Sequence, residues 1–197
     1  MKLTIAIIAS ILAVIGNVPY LMNVIKRKIE PHPYTWFIWS IVSAITFFGL
    51  LAKGGGIGAI PTGVAELFTI IIFFVALERG FRNGLREGFK HVTATDNIFL
   101  IISLLGLIPW ILTNDPTISV ITVVSIDVIA FIPTLRKTWK HPKTETPLLY
   151  GMNASRHVLT MFTLGSYNIA TTLHSIAMII TNSLMTVFIL TKKLRKK

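Results

Sequence analysis

The sequence predicts an all-α integral membrane protein of seven transmembrane helices, and three observations carry that expectation. Hydrophobic residues make up 53% of the 197 and charged residues only 14%, where a soluble domain carries roughly 25% charge. The apolar residues fall into seven long runs, and about 20 apolar residues in a helix cross the hydrocarbon core of a bilayer. The basic residues gather at alternate ends of those runs, as the positive-inside rule requires of a chain that weaves through a membrane.

The first run, about 3–25, follows Lys2 and ends at Lys26, Arg27 and Lys28. A secretory signal begins similarly, but the basic loop after this run would hold it in the cytoplasm, so a true first span is expected. The second run, 34–52, starts after Pro33, and Gly54, Gly55 and Gly56 turn the chain into the third, 57–77. Residues 78–96, ERGFRNGLREGFKHVTATD, form a basic linker. Phe81, Leu85 and Phe89 recur there every four residues. That spacing suits a helix lying on the membrane surface, and a solvated linker fits equally well. A fourth run, 97–113, reaches the turn at Asn114, Asp115 and Pro116. Runs at 117–135, 148–164 and 168–190 follow, then a basic tail at 192–197. The expected organisation is a three-helix bundle (1–77), the linker (78–96), a connecting helix (97–113), a second three-helix bundle (117–191) and the tail.

Charge orients this arrangement. Lys26, Arg27 and Lys28; Arg79, Arg82, Arg86 and Lys90; Arg136, Lys137, Lys140 and Lys143; and Lys192, Lys193, Arg195, Lys196 and Lys197 fall on one side, 16 of the 19 Lys and Arg. Lys2 and Lys53 fall on the other, and Arg156 lies within a run. The N-terminus is therefore expected outside and the C-terminus in the cytoplasm, with the chain in the plasma membrane (the inner membrane of a bacterium). Omitting the fourth run would invert everything after it and mix the charges, so the charge pattern supports that helix independently. The net charge of +11 points to anionic lipid at the cytoplasmic face rather than to nucleic acid. There is no cysteine, hence no disulfide or thiol chemistry, and no dinucleotide, phosphate-loop or paired-histidine metal motif. No cofactor, metal or catalytic activity is expected, and a homo-oligomer is left open.

The chain also repeats itself. Pro19 and Pro33 are fourteen residues apart, and so are Pro133 and Pro147, 114 residues further on. The segments are GNVPYLMNVIKRKIEPHPYTWFIW and AFIPTLRKTWKHPKTETPLLYGMN. One unit is used twice. A single connecting helix between two triplets makes both run in the same direction, as in parallel-repeat transporters. Pro19 and Pro133 lie inside runs, where proline removes a backbone hydrogen bond and kinks a helix. Pro33 and Pro147 stand at helix starts, where proline costs little.

These basic, proline-flanked repeats on a 3+1+3 plan resemble the PQ-loop superfamily, which includes the SWEET sugar uniporters. Tyr20 and Thr134 stand where that family's glutamine would follow the proline. The TWFIW and DVIAFIPTLRK segments also resemble a group of small bacterial membrane proteins. In SWEET-like proteins a proline from each of four helices rings the cytoplasmic end of the pathway. The resemblance therefore implies a gate or hinge role for Pro19, Pro33, Pro133 and Pro147. Trp36 and Trp39, beside Pro33, read as an interfacial belt, with a gate role as the alternative.

Several polar residues lie inside the runs. Glu66 and Asn182 occupy similar depths in the third and seventh. The resemblance implies a substrate-binding pair there, and a packing role is the plainer alternative. An ionised carboxylate in hydrocarbon needs a cavity, a partner or a proton. Phe48 and Phe162, equivalent by the 114-residue offset, are candidate pocket aromatics, with lipid-facing or core packing as the ordinary alternative. Asn153, the counterpart of Trp39, completes the candidate binding set. Asp127, Arg156 and His157 appear only in the second triplet. They suggest either a structural Asp127–Arg156 ion pair or a proton relay through Asp127 and His157. His174 reads as a packed or solvated histidine. The expected function is transport of a small polar solute, a sugar by default, through alternating access. The alternative is a non-transporting receptor or accessory protein of the same fold.

Overall fold

A computed structural model describes residues 1–52, 56–82, 89, 91–112 and 116–194. Among them the chain forms seven α-helices: α1 (Lys2–Ile25), α2 (Pro33–Ala52), α3 (Ile60–Arg82), α4 (Ala94–Leu112), α5 (Pro116–Lys140), α6 (Pro147–Met161) and α7 (Ile169–Leu194). Short 3₁₀ turns at Gly56–Ala59 and Pro142–Thr144 precede α3 and α6. The fold is all-α. Three stretches, Lys2–Ile25, Gly56–Glu78 and Thr171–Lys192, are long and apolar enough to cross a membrane. α5 runs on to Lys140, beyond the apolar run at 117–135, and α6 stops at Met161, short of 164. The turn residues Gly54, Gly55, Asn114 and Asp115, the linker's Leu85, Arg86 and Lys90, and the tail's Arg195, Lys196 and Lys197 lie outside the described residues.

The prolines explain several boundaries. Pro33 and Pro147 occupy the first positions of α2 and α6, and Pro19 and Pro133 lie within α1 and α5. Thr146 caps α6 by accepting from the Leu148 N–H. Thr93 and Asp96 open α4: the Asp96 carboxylate reaches back to accept from the Thr93 N–H at 2.7 Å and from its hydroxyl at 2.9 Å.

Helix contacts follow the 114-residue offset. α3 packs against both α1 and α2, and α7 packs against both α5 and α6. Across the two triplets α1 meets α6 and α2 meets α5, while α4 packs chiefly on α5. Small residues make the α1 contacts close. Ala6, Ala9, Ala13 and Gly16 are buried along one stripe, the spacing that lets helix backbones approach. A Cβ on Gly16 would stand 2.8 Å from the Met152 Cβ on α6.

Burial is inverted relative to a soluble protein. Leu3, Ile7, Ile11, Ile101, Leu105, Ile180 and Leu184 are among many exposed aliphatic side chains, while Glu66, Asp127, Arg156, His157 and Asn182 are buried. Apolar atoms commonly appear on protein surfaces, but a continuous apolar exterior around buried charge is a departure that calls for an explanation.

Candidate functional site

The buried polar residues converge on a cavity. It is lined by Asn17 of α1; Trp36, Trp39 and Ser43 of α2; Thr62, Ala65, Glu66 and Thr69 of α3; Asp127 of α5; Leu149, Asn153, Arg156 and His157 of α6; and His174, Met178 and Asn182 of α7. All six helices of the two triplets contribute, and none of these residues belongs to α4. Its volume is about 70 Å³, room for several waters or one small solute.

Charge inside the cavity is only partly satisfied. Asp127 Oδ2 lies 3.3 Å from His174 Nε2. Arg156 Nη2 donates to His157 Nε2 at 2.7 Å, and His157 Nδ1 lies 3.4 Å from the Ser175 hydroxyl. Arg156 Nε and Nη1 are buried without a hydrogen-bond partner, as are both carboxylate oxygens of Glu66, although Ser43 on the same wall could reach Glu66 with a small adjustment. Asn17 and Asn182 donate their amides to the Ala13 and Met178 carbonyls of their own helices, each at 2.9 Å, which leaves their side-chain oxygens as the groups available to a ligand.

At the end where α1, α5 and α7 finish, stacked rings form the cavity floor. Tyr20 stacks on Trp36 with centroids 5.2 Å apart, and Trp36 meets Trp39 edge-on at 5.5 Å. Trp39 stacks on Phe131 at 5.6 Å, and Phe131 meets Tyr150 at 6.0 Å. The rings come from α1, α2, α5 and α6, the helices that carry the four prolines. Thr35 and Trp39 tie α2 to α5 by donating to the Ala130 and Asp127 carbonyls, at 2.7 and 3.3 Å, in the two turns before Pro133.

Below the rings, a buried ionic network joins the two proline-flanked loops. Lys137 Nζ donates to Glu145 Oε1 at 2.7 Å, and Glu145 Oε2 accepts from the Tyr20 and Tyr150 hydroxyls at 3.0 and 3.2 Å. All four side chains are buried. Lys137 also donates to the Glu30 carbonyl, and the Glu30 N–H donates to the Thr144 carbonyl at 3.1 Å. A second cluster lies alongside. Arg136 pairs with Asp96 and donates to the His91 carbonyl at 2.8 Å, while His91 Nε2 lies 2.6 Å from Glu30 Oε2.

Electrostatics at this end follow from burial. His32, fully buried 3.4 Å from Asp96 Oδ2, is pushed down to about 4, chiefly by desolvation and next by the Lys137 charge. Burial alone would raise Asp96. The Thr93 N–H and the Arg136 guanidinium outweigh it and hold the carboxyl below its usual range. Desolvation also lowers His91, against the pull of Glu30.

Several expectations need correction. Asp127 pairs with His174 rather than Arg156, because the two lie at similar depth but Arg156 turns toward His157. His174 is thus a partner of the acid. Phe48 and Phe162 are 64% and 60% exposed and absent from the cavity wall, because the offset equates their depths only: Phe48 faces outward from α2, and Phe162, the residue that caps the end of α6, faces outward as well. Trp36 is only 2% exposed and belongs to the core, not to a surface belt. Lys137 is buried and ion-paired rather than facing headgroups. Glu66, Asn182 and Asn153 all line the cavity. Phe89, from the linker, packs beside Tyr34 with centroids 6.1 Å apart.

The Lys137–Glu145–tyrosine network was missed by sequence reasoning, although a signal for it exists. Val123, Ala130 and Lys137 recur every seven residues, with Asp127 and Thr134 on the neighbouring line. The inward stripe of α5 therefore continues past the end of its apolar run and carries Lys137 into the core.

Among the described residues, fold and site together define an all-helical protein with many exposed apolar side chains and a polar cavity lined by six of the seven helices. No family model, curated protein or solved structure matches it.

Proposed function

We propose that the chain is a membrane transporter that moves a small polar solute by alternating access, with the solute held in the cavity between two parallel three-helix units. The single observation that carries this reading is the lining of that cavity. Both triplets contribute, α4 does not, and charged and amide side chains face inward while the exterior is aliphatic. Buried ionisable groups within membrane helices ordinarily mark a substrate or ion pathway. The repeated contact pattern supports two equivalent units that rock about the cavity. It also agrees with the resemblance to the PQ-loop superfamily and with basic loops on the cytoplasmic side.

In this reading the structure is closed at the basic end. The ring stack from Tyr20 to Tyr150 separates the cavity from the Lys137–Glu145 network. Opening requires the ends of α1, α2, α5 and α6 to part, and Pro19 and Pro133 supply the bends. Solute binding shifts the balance between closed and open states only as far as it prefers one of them.

Proteoliposome uptake tests the proposal. The purified chain should accumulate or exchange a labelled solute from a panel of sugars, amines and amino acids, and Glu66→Gln should reduce uptake strongly. Unchanged uptake in Glu66→Gln removes the cavity role. Specific binding with no uptake by the wild type refutes transport and favours a receptor.

A further inference from the structure

We propose that the solute is a small zwitterion whose ammonium group sits on Glu66 and whose carboxylate sits on Arg156. The inference rests on the reading that the cavity is the solute site. Glu66 and Arg156 are each about nineteen-twentieths buried, at 6% and 5% exposure. Both line the cavity, one from α3 and the other from α6. Glu66 has no charged partner, only the Ser43 hydroxyl interacting with its carboxylate, and two of the three guanidinium nitrogens of Arg156 are unserved. The other charges in the cavity do not supply what is missing. Asp127 is engaged by His174, and the third nitrogen of Arg156 is engaged by His157.

Buried charges are ordinarily paired and hydrogen-bonded, because an uncompensated one costs several kcal/mol. Here an acid and a base from different triplets both line the cavity, and no hydrogen bond or ion pair joins them. A ligand with both charges completes both groups at once. A monoamine would complete Glu66 and leave Arg156, and a simple carboxylate would do the reverse. A sugar could hydrogen-bond to both and neutralise neither. Arg156 Nε and Nη1, on different edges of the guanidinium, each offer a charge-assisted hydrogen bond to a carboxylate while Nη2 stays on His157. The cavity volume of about 70 Å³ suits a small ligand such as glycine or alanine. The side-chain oxygens of Asn17 and Asn182 add neutral acceptors for the remaining ammonium hydrogens.

Competition binding on the purified full-length chain in lipid nanodiscs, with labelled alanine as probe, tests this. Unlabelled glycine and alanine should compete, while methylamine, acetate and glucose at the same concentration should not. Glu66→Gln and Arg156→Gln should each weaken alanine binding at least about thirtyfold, the effect of stripping one partner from a buried charge pair. Wild-type competition decides the matter even if the variants fail to fold. If glucose, methylamine or acetate competes as well as alanine, the zwitterion assignment is overturned and the cavity stands as a site for another solute. If uptake of some panel solute depends on Glu66 while alanine never binds, the assignment likewise falls alone. If no panel solute binds and none is transported, both readings fall together.

Discussion

Replacing Glu145 with glutamine should destabilise the protein by about 3–5 kcal/mol, the usual effect of leaving one partner of a buried ion pair uncompensated. The figure follows from what Glu145 holds. Its Oε1 accepts from Lys137 at 2.7 Å and its Oε2 from Tyr20 and Tyr150 at 3.0 and 3.2 Å. Lys137 and Glu145 are 1% and 0% exposed, so water cannot take over when either is altered. Glutamine keeps a carbonyl for the hydroxyls but removes the charge that neutralises Lys137. Lys137→Met should cost a similar amount by stranding the carboxylate. The double variant Lys137→Met/Glu145→Gln removes both charges and should recover most of the loss, because deleting a buried pair whole is often nearly neutral. Thermal unfolding in detergent micelles, followed by circular dichroism, reads this directly. At about 2–4 °C per kcal/mol for a chain of this length, each single variant should melt about 6–20 °C lower. The double variant should melt above the sum of the singles. Effects of the two substitutions that add within about 0.5 kcal/mol would refute the coupling.

Three further outcomes follow from the same coordinates. The folded-state depression of His32 to about 4 stabilises the protein fully above the ordinary histidine range near 6.5, and this contribution is lost as pH falls from there toward 4. Between pH 7 and pH 5 that loss amounts to about 2 kcal/mol at 1.36 kcal/mol per unit. His32→Gln should therefore show a shallower decline in melting temperature than wild type over that interval, and equal slopes would contradict the assignment. Gly16→Ala puts a methyl 2.8 Å from the Met152 Cβ and should cost about 1–3 kcal/mol by overpacking the α1–α6 contact, measured as a lower melting temperature. Phe48→Ala and Phe162→Ala, at 64% and 60% exposure, should leave the apparent KM for solute unchanged in proteoliposomes. A several-fold rise in KM would return these rings to the pocket.

Depth was legible in the sequence, whereas direction was not. Apolar runs located seven helices to within a few residues, because a helix in an apolar environment is defined by its length and its polar ends. Depth also brought Glu66 and Asn182 to the cavity, and the 114-residue offset brought Asn153 there. Which way a side chain faces depends on rotation about the helix axis, and estimates of depth carry no such information. Hence Arg156 was assigned to Asp127, which it matches in depth, rather than to His157, which it faces. Phe48 and Phe162 failed for the same reason. The ionic network failed differently. Lys137 was counted among the basic residues of the cytoplasmic side and Glu145 was not singled out, because charge counts orient a chain by side of the membrane and do not distinguish a headgroup contact from a buried pair. The seven-residue step from Ala130 to Lys137 holds that information, but only if the inward stripe is followed beyond the last apolar residue.

The network between the loops also bears on how such a chain could have arisen. By the 114-residue offset, Lys137 corresponds to Asn23, Glu145 to Pro31 and Tyr20 to Thr134. Lys137, Glu145 and Tyr150 bond within the second half, and the first half adds the Tyr20 hydroxyl and the Glu30 carbonyl to them. Two copies of the second half would keep Lys137, Glu145 and Tyr150 but could not rebuild the bond from Tyr20. A pair of first halves would lack both the acid and the ammonium. The two halves are not interchangeable at this network. The connecting helix α4 therefore joins two partners bound to each other by chemistry as well as by covalent linkage.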